Sequence, residues 1–493
     1  MKKMKKYILI LVGLTTFSCS DFLDEEVFTQ YEPTAFLASE SGINATLTAA
    51  YRQSRPDYRE EWYTYGEWVS DLMLERGGGY AAPAATFSEF NWNASNNFFR
   101  DTWRDKYSAI GVCNAILDNI DNVTSLSASK VSSLKAEAIF LRAYNYVQLY
   151  DFFGRLPLIT NGELILKPVR STDAETRAFI EKELIDAAQN LPVEPELYGK
   201  ATKSAALALL GRFYLDTKQW DKSAKINKDV IDLGKHSLFP NVEGVFSVEN
   251  EGNSEMIFVF GATATAPIQE LAWNYTPHAY PVGYNTGQVN YGAQFQLWRW
   301  FVNSFHPDDQ RANEYDVPNG KHGWILKQYV DKGGVAIDLM NDPVTSGVEK
   351  NYPRPVKFTP DPNALGSRHG NDMPILRYAE VLVNRAEALN ELNGPTQESI
   401  NLLNEIRLRS GAPVYSLSDY TTKSALRDQI LIERGWEFHA EGHRRRSLLR
   451  HGSFISGAQA RGKTNAKAHH VLFPIPQQDL DSNSALEQNP IIK

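Results

Sequence analysis

The apolar residues of this chain recur mostly three or four positions apart, which is the spacing of one face of an α-helix. Between residues 136 and 150 the pattern is unbroken, and Gly154 followed by Pro157 predicts the end of that helix. The same pattern predicts further helices, several of them paired across short turns: 203–217 with Thr202 as its cap, 220–233, 379–393, 398–410, and 426–449, which contains Gly435 and Gly442. The sequence therefore predicts a mainly α-helical protein.

The paired helices are typical of tetratricopeptide repeats, in which small residues lie where two antiparallel helices cross. The segment 208–224 fits this pattern best. Because the pairs are irregularly spaced along the chain, a generic helical bundle is the alternative.

Two long regions lack the helical pattern. They cover residues 76–100 and about 241–372, and they are rich in Gly, Pro, Asn and aromatic residues, with only short strand-like runs such as 255–260. Loops of this length inside a compact protein are usually functional. We therefore expect a tetratricopeptide-like helical-repeat scaffold with a long irregular loop-rich face for ligand binding and few short strands.

The amino terminus has the pattern of an export signal. Four lysines within residues 2–6 precede an apolar run over residues 7–14, which is too short to span a bilayer. Cleavage before Cys19 would remove residues 1–18 and leave a thiol that can accept acyl chains, so Cys19 is the predicted lipid-attachment residue. The alternative is that Cys19 belongs to an ordinary signal peptide. Residues 19–30 include an acidic run and predict a solvated tether.

The charge balance argues against nucleic acid as a partner. Lys and Arg number 51 against 59 Asp and Glu, and loss of the four lysines in residues 1–18 changes the formal net charge from −8 to −12. Nucleic-acid binding needs clustered positive charge. Cys19 and Cys113 are the only cysteines, so lipidation of Cys19 leaves no intrachain disulfide, and the apolar surroundings of Cys113 predict a buried thiol.

The chain contains no complete catalytic or metal-binding motif. His439 and His443 would share a helix face, but Glu441 between them is not placed as in a His-Glu-x-x-His zinc site, so packing is the favoured role. Glu433, Glu437 and Glu441 repeat along the same predicted helix among arginines, which indicates an ion-pair network rather than two carboxylates held across a cleft. No serine elbow, phosphate-binding loop or dinucleotide motif occurs. These motifs therefore give no reason to expect a cofactor or a metal ion.

Aromatic residues make up 12% of the chain and fall into two groups. Trp62, Tyr65, Trp68 and Leu72 are three or four positions apart and predict a buried stripe. The second group lies among Gly, Pro and Asn in the predicted loops. A flat ring can stack on the apolar face of a sugar while neighbouring amides bind its hydroxyls; the alternative is that each ring pins its loop to the scaffold. The predicted ligand-binding residues are Trp92, Trp273, Tyr275, Tyr280, Tyr284 and Tyr291.

Short motifs over nearly the whole chain resemble the SusD/RagB family of outer-membrane nutrient-binding lipoproteins from Bacteroidota. No single motif is specific, but their order and spacing together are. The motifs occupy residues 19–24, 136–144, 153–158, 201–208, 253–258, 377–382, 403–407, 441–444 and 488–490.

The resemblance implies a lipid-anchored, surface-exposed protein of the outer membrane that is not an enzyme and that touches the membrane through lipid alone. It implies capture of an oligosaccharide, with peptide or glycopeptide as the alternative ligand, and delivery to a TonB-dependent SusC-like transporter. It also implies one domain over residues 31–493, with its scaffold at about 31–75, 101–240 and 373–455 and loop-rich insertions at about 76–100 and 241–372. A secreted glycoside hydrolase, which shares aromatic loops, is a less favoured interpretation.

Overall fold

The structure is a computed structural model, and it describes residues 36–75, 81–263, 295–313, 315–316, 321–330, 334–341, 352–358, 361 and 370–489. A π-helix occupies Tyr58–Trp68, and short 3-10 helices occupy Ile120–Asn122, Val248–Asn250, Gln310–Ala312, Leu417–Asp419 and Ala468–Val471. The α-helices of the described residues are α1 Glu40–Ser54, α2 Ala81–Ser88, α3 Asn97–Asn119, α4 Ala128–Phe153, α5 Asp173–Asn190, α6 Lys203–Asp216, α7 Trp220–Asp232, α8 Arg299–Val302, α9 Tyr378–Asn393, α10 Gln397–Arg409, α11 Lys423–Phe438, α12 Arg444–His451, α13 Phe454–Ala460 and α14 Gln477–Ser482.

Local sequence signals set the helix ends. Thr172 begins α5 with a reciprocal capping box, in which its Oγ1 accepts from the Glu175 amide and the Glu175 carboxylate accepts from the Thr172 amide. The Thr202 hydroxyl accepts from the Ala205 amide and caps α6, as predicted. Gly154 ends α4 with a φ of +73°, a conformation that residues with a Cβ rarely adopt.

The helices pack as a chain of antiparallel pairs. α3 packs on α4, α4 on α5, α5 on α6, α6 on α7, and α7 on α9, which also contacts α10 and α11. Inside α6, Gly211 lies against the side chain of Asn227 in α7, where a Cβ would approach the Asn227 Oδ1 to 2.7 Å. This is the small-residue crossing that the repeat pattern predicts. The mainly helical, tetratricopeptide-like fold class is therefore confirmed.

The strands of the described residues are short and form antiparallel pairs. β2 (Met256–Phe260) pairs with β10 (Met373–Arg377), and β1 (Met73–Glu75) pairs with β3 (Phe295–Leu297). The remaining pairs lie between these segments in sequence: β4 (Tyr315–Asp316) with β5 (Lys321–His322), β6 (Ile325–Leu326) with β9 (Arg354–Pro355), and β7 (Gln328–Val330) with β8 (Ala336–Asp338). The loop-rich region therefore begins and ends on two neighbouring strands, β2 and β10.

A buried network of ten charges fastens this region to the scaffold. Glu437 in α11 accepts hydrogen bonds from Arg311 (2.9 Å), Arg377 (2.7 Å) and Arg409 (2.6 Å). Every side chain in the network is at most 4% exposed, and its five cations balance five carboxylates: Arg311, Lys357, Arg377, Arg407 and Arg409 against Glu255, Asp309, Glu433, Glu437 and Glu441.

Two local expectations are corrected. Residues 81–88 form α2, although the sequence predicts a non-helical stretch over 76–100. Pro83 is tolerated because it lies in the first helical turn, where its missing N–H leaves no hydrogen bond unmade.

The predicted helix 426–449 is two helices, α11 and α12, and Gly435 lies inside the first. The turn between them contains Ala440 and Gly442 with φ of +63° and +74°. His439 and His443 consequently do not lie on one helix, and Glu441 lies in the turn.

Candidate functional site

An open cleft of about 910 Å³ lies where the scaffold meets the loop-rich region. Its walls come from the carboxyl end of α1 with residues 55–57, from α3, from the loop 197–200, and from the end of β2 with Gly261. Clefts of this volume, with a few polar groups among apolar ones, are the usual form of small-molecule sites.

A buried ion pair is part of the cleft lining. Lys106 Nζ lies 2.8 Å from Glu61 Oε1, and both side chains are almost fully buried. Burial raises the pKa of Glu61, although Lys106 acts to lower it. The Asp57 amide also donates to Glu61 Oε1 at 3.1 Å, so the carboxylate holds the start of the π-helix against α3.

Tyr51 forms a fixed point on the cleft wall. Its hydroxyl donates to Glu137 Oε2 at 2.8 Å and accepts from the Ala201 amide at 2.8 Å. Burial, and next the charge of Glu137, raises the pKa of Tyr51 well above its usual value. Lys200 Nζ also lies 3.2 Å from Glu137 Oε1, so the loop 197–200 is bound to Glu137 directly through Lys200 and indirectly through the contact between Ala201 and Tyr51.

Tyr198 places an aromatic ring at the cleft mouth. The residue is 54% exposed, and its hydroxyl donates to Asp372 Oδ2. Asp372 also accepts from the Ala262 amide at 3.0 Å and donates its own amide to Glu251 Oε1 at 2.8 Å. Burial, followed by repulsion from Asp372, raises the pKa of Glu251 to about 8. The cleft thus combines an exposed ring with fixed hydrogen-bonding groups, which suits noncovalent binding of a polar, ring-shaped ligand.

Most predicted ligand-binding residues lie outside the described part of the chain. Trp273, Tyr275, Tyr280, Tyr284 and Tyr291 belong to residues 264–294, and Cys19 belongs to residues 1–35. The segment 264–294 follows within three residues of Gly261 in the cleft wall and precedes β3. Its aromatic residues stay predictions, as does lipidation of Cys19.

Trp92 is described, and it is buried. It is 9% exposed, and its ring packs against Phe90 at 5.1 Å, His470 at 4.8 Å and Phe473 at 5.4 Å between centroids. It does not line the cleft. These contacts favour the alternative in which the ring pins its loop to the scaffold, and a role for Trp92 in ligand binding stays a prediction.

The predicted buried stripe Trp62, Tyr65, Trp68 and Leu72 is confirmed, since all four side chains are at most 6% exposed.

The expected ion-pair network is confirmed as well, but its members differ: Glu433, Glu437 and Glu441 bind arginines and a lysine from distant segments rather than neighbours along one helix.

His439 and His443 are packing residues. The His439 ring lies 5.6 Å from that of Phe301, and the His443 ring stacks on Phe438 at 5.1 Å. Burial lowers the pKa of both histidines well below the usual value, so both are neutral. Among the described residues, no group of three His, Cys, Asp or Glu side chains is placed to hold a metal ion.

Sequence reasoning missed the cleft residues Tyr51, Glu61, Lys106 and Tyr198. One signal was available: Lys106 lies on the same helical face as Trp103 and Ile110, three and four positions away. A lysine on a buried face requires a buried partner. The partner, Glu61, lies 45 positions earlier, and no local pattern identifies it.

Two separate segments of the chain match SusD-type protein families. Residues 327–491 match the SusD family, and residues 21–215 match the family described as "Starch-binding associating with outer membrane". SusD-like protein P25 of Formosa agariphila is 25% identical over 99% of this chain and 98% of its own length. Among solved structures, a SusD homolog from Bacteroides thetaiotaomicron superimposes with a TM-score of 0.78 at 22% identity, covering 94% of this chain and 99% of its own.

A "Laminarin binding SusD-like protein" superimposes with a TM-score of 0.74 at 23% identity, over 92% of this chain and 99% of its own. The fold and its cleft thus define a SusD-like helical-repeat protein of a class that binds glycans. The chain belongs to the SusD/RagB family. No helix in the described residues is both long and apolar enough to cross a bilayer.

Proposed function

We propose that this protein is a cell-surface lipoprotein that captures oligosaccharide and delivers it to a TonB-dependent SusC-like transporter. The observation that carries the proposal is the cleft, whose lining combines the exposed ring of Tyr198 with polar groups such as the Tyr51 hydroxyl and Lys106. A starch-binding family description and a laminarin-binding structural relative support a glycan as the ligand.

Binding would need no covalent step. The hydroxyls of a sugar would be bound by the polar groups that line the cleft, and the exposed ring of Tyr198 would stack with one sugar unit. Lipidation of Cys19 would hold the protein at the outer membrane, and the acidic residues that follow would keep its body away from the lipid headgroups. A peptide or glycopeptide is the alternative ligand, because exposed aromatics next to polar groups also suit peptides.

The test is affinity gel electrophoresis of the chain without residues 1–19 against a panel of polysaccharides. We expect retardation by one glycan class. The variant Trp273→Ala with Tyr275→Ala should lose the retardation, and Tyr198→Ala should weaken it. Trp300→Ala is the matched control, because that tryptophan is 50% exposed and does not line the cleft.

Trp92→Ala is unsuitable for the same test, because removal of a buried tryptophan costs about 3–5 kcal/mol of stability. If no glycan retards the protein and calorimetry shows that peptides bind, the ligand is a peptide and the glycan proposal is wrong. Shortening of the glycan chains would show that the protein is an enzyme and would overturn the proposal of binding without chemistry.

A further inference from the structure

The aromatic ring at the cleft mouth separates two spaces. Tyr198 lies in the loop 197–200 and is 54% exposed. On one side it lines the cleft, and on the other side it lines a second cavity of about 20 Å³. A ring with open space on both sides loses side-chain freedom when a ligand binds, and this loss weakens binding unless the ring is already fixed. The contacts that fix Tyr198 therefore bear directly on affinity.

The hydroxyl end of the ring is fixed by Asp372. The Tyr198 hydroxyl donates to Asp372 Oδ2, although the two residues are 174 positions apart in sequence. Hydrogen bonds to carboxylates are stronger than those between neutral groups. Partial burial, then this hydrogen bond and then the charge of Asp372 raise the pKa of Tyr198 well above its usual value. The phenol therefore stays protonated and remains a donor at neutral pH.

Asp372 is itself held in place by the backbone. Its Oδ1 accepts from the Ala262 amide at 3.0 Å, and its own amide donates to Glu251 Oε1 at 2.8 Å. Ala262 lies just after β2, Asp372 lies just before β10, and these two strands pair with each other. The carboxylate that binds the Tyr198 hydroxyl is therefore a fixed point at the end of a strand pair.

Gly252 brings the backbone against the side of the same ring. It has a φ of +72°, and a Cβ at this position would lie 3.1 Å from Tyr198 Cε2. The neighbouring residue, Glu251, accepts from the Asp372 amide, so one short segment contacts both the ring and the residue that holds its hydroxyl. Together these contacts define the orientation of the Tyr198 ring in the described structure.

We propose that Asp372 is a positioning residue for ligand binding, which fixes the Tyr198 ring at the cleft mouth before the ligand arrives. The inference rests on the proposed function and deepens it, because it names what orients the exposed ring. Asp372 does not line the cleft, so its effect on binding goes through Tyr198.

The first test compares variants by affinity gel electrophoresis of the chain without residues 1–19, on polysaccharides that include starch and laminarin. Tyr198→Phe keeps the ring but removes the hydroxyl. Asp372→Asn keeps the shape but offers one acceptor oxygen to two donors, the Tyr198 hydroxyl and the Ala262 amide. Each should bind about three- to tenfold more weakly than wild type, because the ring must then be ordered during binding.

The double variant separates positioning from an independent role. Tyr198→Phe with Asp372→Asn should bind no more weakly than Tyr198→Phe alone, because without the hydroxyl the carboxylate has no ring to hold. The matched control is Tyr150→Phe, which removes a tyrosine hydroxyl that donates to Asp173 Oδ1 at 2.7 Å away from the cleft. It should bind as wild type does.

The second test needs no ligand. 3-Fluorotyrosine is placed at position 198, and its ionisation is followed by fluorine NMR. The phenol should ionise about one pH unit or more higher with Asp372 present than in Asp372→Asn, because a carboxylate that accepts from the phenol favours its neutral form. A general effect of the substitution on stability would not move this titration in a folded variant.

The outcomes separate this inference from the proposed function. Equal retardation of Asp372→Asn and wild type, with weaker binding by Tyr198→Ala, would overturn the positioning role and leave glycan binding intact. Additive losses in the double variant, or an unchanged titration, would also overturn it. If no polysaccharide retards wild type while the titration still depends on Asp372, the hydrogen bond exists but the proposed ligand is wrong, and the positioning role in glycan binding is wrong with it.

Discussion

The substitution Glu437→Gln tests whether charge balance stabilises the buried network. Among the described residues, Glu437 is the only carboxylate of this network that accepts hydrogen bonds from three arginines, Arg311, Arg377 and Arg409. Burial by itself raises the pKa of Glu437, but Arg409, Arg377 and Arg311 outweigh it and hold the pKa well below its usual value. Glutamine keeps the shape of the side chain but leaves the network with one uncompensated positive charge.

The expected loss of stability is about 3–5 kcal/mol, the usual cost of removing one partner from a buried ion pair. An unfolding entropy near 2.1 cal/mol/K per residue gives roughly 1 kcal/mol/K for a chain of this length. The melting temperature should therefore fall by about 3–5 °C. Differential scanning calorimetry of the chain without residues 1–19 measures it, with a check that the transition is single and reversible.

The control is Glu196→Gln, which removes a surface ion pair with Lys130 where the Glu196 side chain is 62% exposed. It should leave the melting temperature unchanged, because exposed pairs are screened by water and salt.

The pH dependence gives a second check of the Glu437 prediction. A carboxylate with a depressed pKa contributes its full stability above its unfolded pKa, near 4.5. The contribution is lost as the pH falls below that value. The difference in melting temperature between wild type and Glu437→Gln should therefore be constant from pH 6 to pH 8 and shrink below pH 4.5. A variant that melts within 1 °C of wild type at pH 7 would refute the reasoning, since charge balance would then contribute little.

Three further predictions concern other buried positions. Burial raises the pKa of Glu67 to about 8. The native state with a protonated Glu67 is therefore fully stable below the unfolded pKa of 4.5 and loses stability as the pH rises to 8. Glu67→Gln should have a higher melting temperature than wild type at pH 8 and should lose that advantage at pH 5. Gly66→Ala would place a Cβ 2.5 Å from the Gly442 Cα and should cost about 1–3 kcal/mol in chemical denaturation, whereas Gly111→Ala, in open space on α3, should not destabilise. Burial raises the pKa of the Cys113 thiol to about 12, so a thiol reagent at pH 8 should modify Cys113 only after denaturation; fast modification of the native chain would contradict its burial.

The sequence predicted best what neighbouring residues determine. The helix predicted to begin at Lys203 does so, and Thr202 caps it, because an N-cap acts on amides two or three positions away. Gly154 ends α4 for an equally local reason, its positive φ. The tetratricopeptide-like pairing follows from such helices joined by short turns.

The sequence predicted less well where tertiary contacts decide the conformation. Gly435 and Gly442 both interrupt the same apolar pattern, yet only Gly442 lies in a turn. Gly435 remains helical, and the Arg444 side chain packs close beside it: a Cβ at position 435 would lie only 3.2 Å from Arg444 Nη1. The local sequence shows both glycines but not the packing of Gly435 against Arg444, so it does not tell which of the two lies in the turn.

The candidate site shows the same division. Polar sequence neighbours predict that the loop aromatics bind ligand, but Trp92 is buried against Phe473 and His470, which lie far away in sequence. At the cleft wall, the Tyr51 hydroxyl joins α1 to Glu137 in α4 and to the Ala201 amide, which follows the loop 197–200. A tyrosine near a helix end gives no indication of such contacts, so the cleft could be located only from the fold.

The pairing of β2 with β10 has a consequence for how this protein can be redesigned. Phe260 lies opposite Met373, so everything between them leaves and rejoins the scaffold at one place. The intervening stretch can therefore be treated as a cassette: a donor sequence of different length would impose little new chain-closure entropy on the host. The cassette must retain Asp309, Arg311 and Lys357, because these three supply its share of the buried charge balance. A chimera that keeps them should fold on this scaffold, with a ligand range set jointly by the donor segment and by the cleft residues, such as Tyr198, that stay with the host.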